Sequence, residues 1–168
     1  MGKFLGLAVL ALACAIMMSG VGTVWAATDA QTLTVNVTVS DRAKLTLGTG
    51  AINFADADPD VMPSIAAVEN PVTVTVKAQT GGASTVTLTI QANGDLESGS
   101  DTIDIDNVTW TASGAGFVAG TMDTAVQTAG SWTGSGRRDG TFSYFLGNGW
   151  GHAAGSYTQT VVYTLTAP

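Results

Sequence analysis

The most constraining feature of this sequence is an alternation of apolar and polar side chains that recurs along most of the chain. Residues 32–40 (TLTVNVTVS) are the clearest case, because every second side chain is apolar and those between are Thr, Asn or Ser. Successive side chains of a β-strand point to opposite faces, so this pattern predicts strands with one buried face. No stretch keeps a helical period for long, and we therefore expect an all-β fold.

Other segments follow the same pattern between turns rich in Gly and Asp. We predict strands at residues 44–47, 51–54, 71–78, 84–91, 103–111, 125–132, 141–146 and 157–166. The short connection at residues 79–83 (QTGGA) predicts that the strands on either side of it form a hairpin. Residues 63–70 are the one candidate for a helical turn. About seven to nine short antiparallel strands describe a sandwich or a barrel, and we favour an immunoglobulin-like β-sandwich.

The N-terminus has the three regions of a secretory signal peptide. Lys3 supplies a positive charge, residues 4–18 are apolar, and in residues 24–26 (VWA) Val24 and Ala26 offer small side chains at the two positions that cleavage requires. The apolar run ends before the roughly 20 residues that a membrane-spanning helix needs. We predict a signal peptide over residues 1–26, a single domain over residues 27–168, and a secreted protein.

The only cysteine, Cys14, lies inside this apolar run. A lipoprotein signal would need Leu three positions earlier, where Ala11 stands, so we interpret Cys14 as part of the signal peptide. The mature chain then contains no cysteine and no disulfide. Its fold must be held by its core alone, although export normally permits disulfides.

The charge of the chain excludes some classes of partner. The sequence has 6 basic and 13 acidic residues, and loss of Lys3 leaves a mature net charge of 5 − 13 = −8. A chain this acidic is repelled by phosphate backbones and by anionic lipid. We therefore expect no nucleic-acid partner.

The sequence contains no recognisable catalytic pattern, and we predict no enzyme activity and no cofactor. His152 is the only histidine and lies in a glycine-rich segment, where we interpret it as an exposed loop residue. The acidic clusters at residues 56–60 and 101–107 contain enough carboxylates to be considered as calcium sites, but neither has the spacing of a hand-type loop. We interpret the first cluster as a solvated turn and the second as the solvent-exposed face of a strand, and we predict no metal site.

Three tryptophans of the mature chain invite a sugar-binding interpretation. Trp110 and Trp132 fall in predicted strands, which favours packing roles. Trp150 falls in the glycine-rich segment and is the better candidate for ligand binding by stacking on a glycan. The alternative function is accordingly a self-contained cell-surface module that binds glycan or cell wall.

The first strand of the mature chain offers the main functional hypothesis. Leu33, Val35, Val37 and Val39 form a strand-long apolar stripe directly behind a short polar N-terminus. The stripe is either an ordinary first strand of the sandwich or a donor strand that fills a groove in a neighbouring subunit. Strand addition of the second kind combines main-chain hydrogen bonds with alternate side chains in pockets.

The ends of the chain point to a family. An alternating N-terminal strand is followed by residues 45–47 (LTL) and 52–59 (INFADADP), and the chain closes with residues 154–165 (AGSYTQTVVYTL). This arrangement resembles the spore coat protein U domain of archaic chaperone–usher pilins. The resemblance implies an immunoglobulin-like subunit of a bacterial surface filament or coat that polymerises by donor-strand exchange. Its implied partners are other copies of itself, a periplasmic chaperone and an outer-membrane usher.

Overall fold

The structure is a computed structural model and describes residues 29–168. The predicted signal peptide and Cys14 lie outside the described residues. The chain divides into two units, Met1–Asn36 and Val37–Pro168. Residues 29–36 of the first unit are exposed and lie in no strand, whereas the second unit is all-β apart from one 3₁₀ turn at Ile105–Asn107.

Eleven strands are present in residues 29–168. In chain order they are β1 (Arg42–Leu47), β2 (Ser64–Ala66), β3 (Val72–Gln79), β4 (Thr85–Ala92), β5 (Leu96–Ser98), β6 (Asp101–Ile103), β7 (Val108–Ser113), β8 (Gly120–Thr121), β9 (Gln127–Thr133), β10 (Gly136–Gly147) and β11 (Val161–Thr166). All their pairings are antiparallel. No helix in the described part of the chain has the length and apolar character that crossing a bilayer requires.

The strands form two main sheets and one small hairpin. The larger sheet has the order β1-β3-β10-β7-β8, with β2 pairing to the C-terminal end of β10, and the smaller sheet has the order β11-β4-β9. Strands β5 and β6 pair only with each other. The predicted all-β sandwich is confirmed, because apolar side chains of both main sheets meet in one core.

The core follows from the alternation that the sequence predicts. Every second residue of β3 and β4 is buried, and Leu88 at the centre of β4 has no exposed surface. Four edge-to-face contacts join Phe117, Phe142, Tyr144 and the two tryptophans Trp110 and Trp132. Both tryptophans are buried and donate their indole N–H to backbone carbonyls, which confirms their predicted packing roles.

The predicted hairpin of residues 71–78 and 84–91 is wrong. Both strands exist as β3 and β4, but β3 pairs with β1 and β10, whereas β4 pairs with β11 and β9. The connection is an arch that carries the chain from one sheet to the other. Each strand buries one apolar face, and placing the two faces opposite each other across the core buries both.

Other predicted segments differ in their details. Residues 63–70 contain the short strand β2 instead of a helical turn. The predicted strand 103–111 is interrupted by the 3₁₀ turn at Ile105–Asn107. β10 begins at Gly136, before the predicted start at residue 141, and so includes glycines that are typical of a turn. Residues 51–54 contribute only an isolated bridge from Phe54 to Ala67. Residues 32–40, predicted as a strand, lie in no strand of the described chain.

Candidate functional site

The sandwich has two unpaired strand edges on the same side. β1 is the end strand of the larger sheet and β11 is the end strand of the smaller one. Their Cα atoms come within 8 Å of each other, but within residues 29–168 no ladder joins them. Each strand therefore has one row of backbone N–H and C=O groups without a strand partner, which is the usual template for adding a further strand.

The apolar side chains along these edges are only partly covered. Eight of them pack against the core without being fully buried. They are Leu45, Leu47, Ile52, Phe54, Val161, Tyr163, Leu165 and Ala167. We call this set the open seam. The segment after β1 belongs to it because the Phe54–Ala67 bridge continues the β1 edge beside β2.

The floor of the open seam contains one polar link between the sheets. The hydroxyl oxygens of Tyr144 on β10 and Tyr163 on β11 are 2.7 Å apart and share a hydrogen bond. Burial is the main cause that raises the pKa of both phenols, so both are protonated at neutral pH. The seam thus presents an apolar surface without a charged group on its floor.

The apolar stripe of residues 33–39 is exposed to solvent. Leu33, Val35, Val37 and Val39 have 86%, 76%, 79% and 68% of their surface accessible. All four apolar side chains on one face of this segment are exposed. This is unusual, because soluble proteins rarely leave a contiguous apolar surface uncovered. We call these four residues the exposed stripe.

The strand directions limit how the exposed stripe can meet an open seam. β1 and β4 each run opposite to β3, because β1 is its antiparallel neighbour and β4 returns from it through the arch. β11 is antiparallel to β4 and therefore runs opposite to β1. A strand that lies antiparallel to β11 is consequently parallel to β1.

The other predicted candidates lie elsewhere. Trp150 has 72% of its surface exposed and donates its indole N–H to Asp60 Oδ1 at 3.1 Å. Asn148 braces the same loops through hydrogen bonds to the carbonyls of Ala57 and Met62. His152 is partly buried, so its prediction as an exposed loop residue is only partly correct.

The acidic clusters form no metal site among the residues described. No group of three His, Cys, Asp or Glu side chains in that part of the chain is close enough to hold a metal ion. Asp104 precedes the 3₁₀ turn and Asp106 lies within it, so neither is on the solvent-exposed face of a strand, which corrects their structural assignment.

Comparison with known proteins adds no further assignment. No protein-family model matches the sequence, and no curated protein is significantly similar to it.

Sequence reasoning missed the open seam, although a signal for it exists. Val161, Tyr163, Leu165 and Ala167 alternate at the end of the chain as regularly as the exposed stripe does near its start. Alternation alone cannot reveal that the edge beyond such a strand is unpaired. That information resides in the order of the strands.

Proposed function

We propose that this protein is a secreted structural subunit of a bacterial surface filament or coat, assembled by donating its N-terminal strand to a neighbour. In this proposal the domain is an immunoglobulin-like sandwich that lacks one edge strand. The observation that carries the proposal is the coexistence, in one chain, of an exposed apolar stripe and an open apolar seam.

The two surfaces match in length and periodicity. The exposed stripe places four apolar side chains over residues 33–39, and β11 with its extension places four over residues 161–167. Both spans are seven residues, or about 20 Å between the outer Cα atoms at about 3.3 Å per residue. Burying each Val or Leu is worth about 1.5–3 kcal/mol, so four anchors favour a persistent contact.

The connection between stripe and sandwich favours a neighbour over the chain's own seam. Only Ser40 and Asp41 separate Val39 from β1. To fill its own seam, the segment would have to reverse direction within these two residues. Two-residue hairpins need positive φ and prefer Asn-Gly or Gly-containing pairs, which Ser-Asp does not provide.

Insertion also requires a movement of the recipient. A strand hydrogen-bonded to both edges needs them about 9.5 Å apart, twice the usual strand spacing. β1 and β11 lie closer than this in places. The donated strand would therefore widen the seam as it enters and replace exposed surface with a continuous core.

Two double variants test the proposal. Val35→Asp with Val37→Asp places charges on the apolar face, where burial without a partner is costly. Thr34→Asp with Asn36→Asp adds the same charge to the opposite face and is the matched control. We expect the first variant to be exported and folded by circular dichroism but monomeric by size-exclusion chromatography, and the control to polymerise like the wild type.

A free peptide provides the complementary test. A peptide of residues 32–40 should occupy the open seam and stop chain growth of the wild-type protein. A wild-type protein that remains a folded monomer at high concentration and ignores the peptide would end the proposal.

Glycan or cell-wall binding remains the second candidate because one observation favours it. Trp150 is largely exposed yet held by its hydrogen bond to Asp60, as a fixed stacking surface for a sugar ring would be. A glycan array probed with wild-type protein and with Trp150→Ala tests this. Binding that is lost in the variant would support it, and absence of binding by the wild type would exclude it for the glycans displayed.

A further inference from the structure

The five basic residues of the described chain lie at one end of the larger sheet. They are Arg42 and Lys44 at the start of β1, Lys77 near the end of β3, and Arg137 and Arg138 at the start of β10. The pairing register places Lys44 opposite Lys77 and Lys77 opposite Arg137. We call this set the basic pole.

This arrangement costs stability within the subunit. Like charges directly opposite each other on neighbouring strands repel. The positive charge of Arg137 is balanced by Asp139, because the guanidinium donates two hydrogen bonds to that carboxylate, from Nε to Oδ2 at 2.7 Å and from Nη2 to Oδ1 at 2.9 Å. This contact lowers the pKa of the Asp139 carboxyl. Among residues 29–168, no carboxylate forms an ion pair with Arg42, Lys44 or Lys77. Asp139 also interacts favourably with Lys77, so the repulsion is partly offset within the subunit, and an anionic partner outside it would relieve the remainder.

Acidic side chains gather at the opposite end of the sandwich. That end is marked by the pairing of Ala92, the last residue of β4, with Val161, the first residue of β11. The acidic residues beside it are Asp95, Glu97, Asp101, Asp104, Asp106 and Asp123, which we call the acidic pole. Three contacts place the acidic pole at this end of the sandwich. Glu97 forms a β-bridge with Thr158, and the Asp123 carbonyl accepts a hydrogen bond from the Ala92 N–H. The Asp95 carboxylate accepts a hydrogen bond from the Ile105 N–H.

Donation of the N-terminal strand brings opposite poles of successive copies together if the donor lies antiparallel to β11. β11 starts at the acidic pole and ends at the basic pole. An antiparallel donor therefore ends, at Val39, beside the acidic pole of the recipient. The donor's own basic pole begins at Arg42, three residues later and at most about 10 Å away. Asp41 precedes it, but the five basic residues of the pole outweigh this single negative charge. That distance is comparable to the Debye length of about 10 Å in 0.1 M salt, so the charges interact.

We propose that the basic pole of each subunit docks against the acidic pole of the next copy of this chain, and that this contact sets the direction of strand donation. The inference rests on the proposed function. A donor parallel to β11 would instead bring two basic poles together. Charge complementarity of this kind mainly steers association and suppresses wrong orientations.

The test compares assembly rates of the purified exported protein in low and high salt. Electrostatic steering raises association rates by 10 to 10³-fold and is lost as ionic strength rises. We expect wild-type assembly, followed by light scattering, to slow by about tenfold or more between about 0.02 and 0.5 M NaCl. Lys44→Gln with Lys77→Gln should assemble more slowly at low salt and respond much less to salt.

Two controls isolate the position of the charge. Thr111→Glu with Ser131→Glu lowers the net charge by the same two units at exposed mid-strand positions and should keep the wild-type salt response. The peptide of residues 32–40 carries no charged side chain, so its binding to the seam should not depend on salt.

The outcomes separate the two proposals. An equal salt response in the wild type and both double variants, with assembly and peptide binding intact, would overturn the docking of the poles and leave strand donation standing. Failure of the wild type both to assemble and to bind the peptide would overturn strand donation, and the docking of the poles with it.

Discussion

Truncation of two leucines that face each other across one ladder should destabilise the isolated subunit unequally and the assembly about equally. Leu88 of β4 is paired with Leu165 of β11. Leu88 has no accessible surface, whereas Leu165 lies in the open seam and is only partly buried. Replacing each by Ala removes the same atoms from two different environments.

The expected magnitudes follow from that difference. Leu88→Ala leaves a closed cavity and should lower the free energy of unfolding by about 3–5 kcal/mol. Leu165→Ala in a monomer removes atoms that already contact water and leaves no closed cavity, so we expect about 1–2 kcal/mol. In the assembly a donated strand covers Leu165, and the same truncation should cost as much as a core substitution.

Urea unfolding supplies both measurements. The monomer values come from the Val35→Asp, Val37→Asp background, and the assembly values from wild-type filaments carrying each truncation. Equal losses for the two leucines in the monomer would refute the open seam. An assembly that Leu165→Ala leaves unchanged would refute its occupation by a donated strand.

Three further predictions concern maturation, packing and pH. N-terminal sequencing of the exported protein should begin within a residue or two of Ala27, and an intact N-terminus would contradict the predicted cleavage. Gly120→Ala should cost about 1–3 kcal/mol in thermal unfolding, because the new Cβ would lie 2.5 Å from the buried Trp110 ring. Burial raises the folded-state pKa of Tyr144 and Tyr163, so the contribution of these two phenols to stability should be constant below about pH 10 and fall above it as the unfolded phenols ionise; replacing both by Phe should flatten that fall.

The strands were predictable where alternation coincides with burial on one face. β3 and β4 lie within a residue or so of their predicted bounds because branched and polar side chains alternate without interruption. Their pairing was not predictable, since the same alternation suits two neighbours in one sheet or two strands facing each other across a core. The connection between them fits either arrangement.

The candidate site was predictable only in part, for the same reason. The pattern of the exposed stripe is visible in the sequence because its four apolar residues occupy every second position of one short segment. The open seam and the basic pole depend on residues distant in sequence, such as Lys44 and Lys77, which only the β1–β3 register brings together. Local patterns contain no information about such pairings.

Disulfide trapping between copies tests strand donation most directly. In the antiparallel arrangement Val39 of the donor lies at the Val161 end of the recipient's β11, about 20 Å from Ala167. The predicted mature chain has no cysteine, so single substitutions are unambiguous. Mixing Val39→Cys protein with Val161→Cys protein should yield a crosslinked dimer, whereas mixing it with Ala167→Cys protein should not. Preferential crosslinking to position 167 would contradict the antiparallel orientation, and no crosslinking to either would contradict strand donation itself.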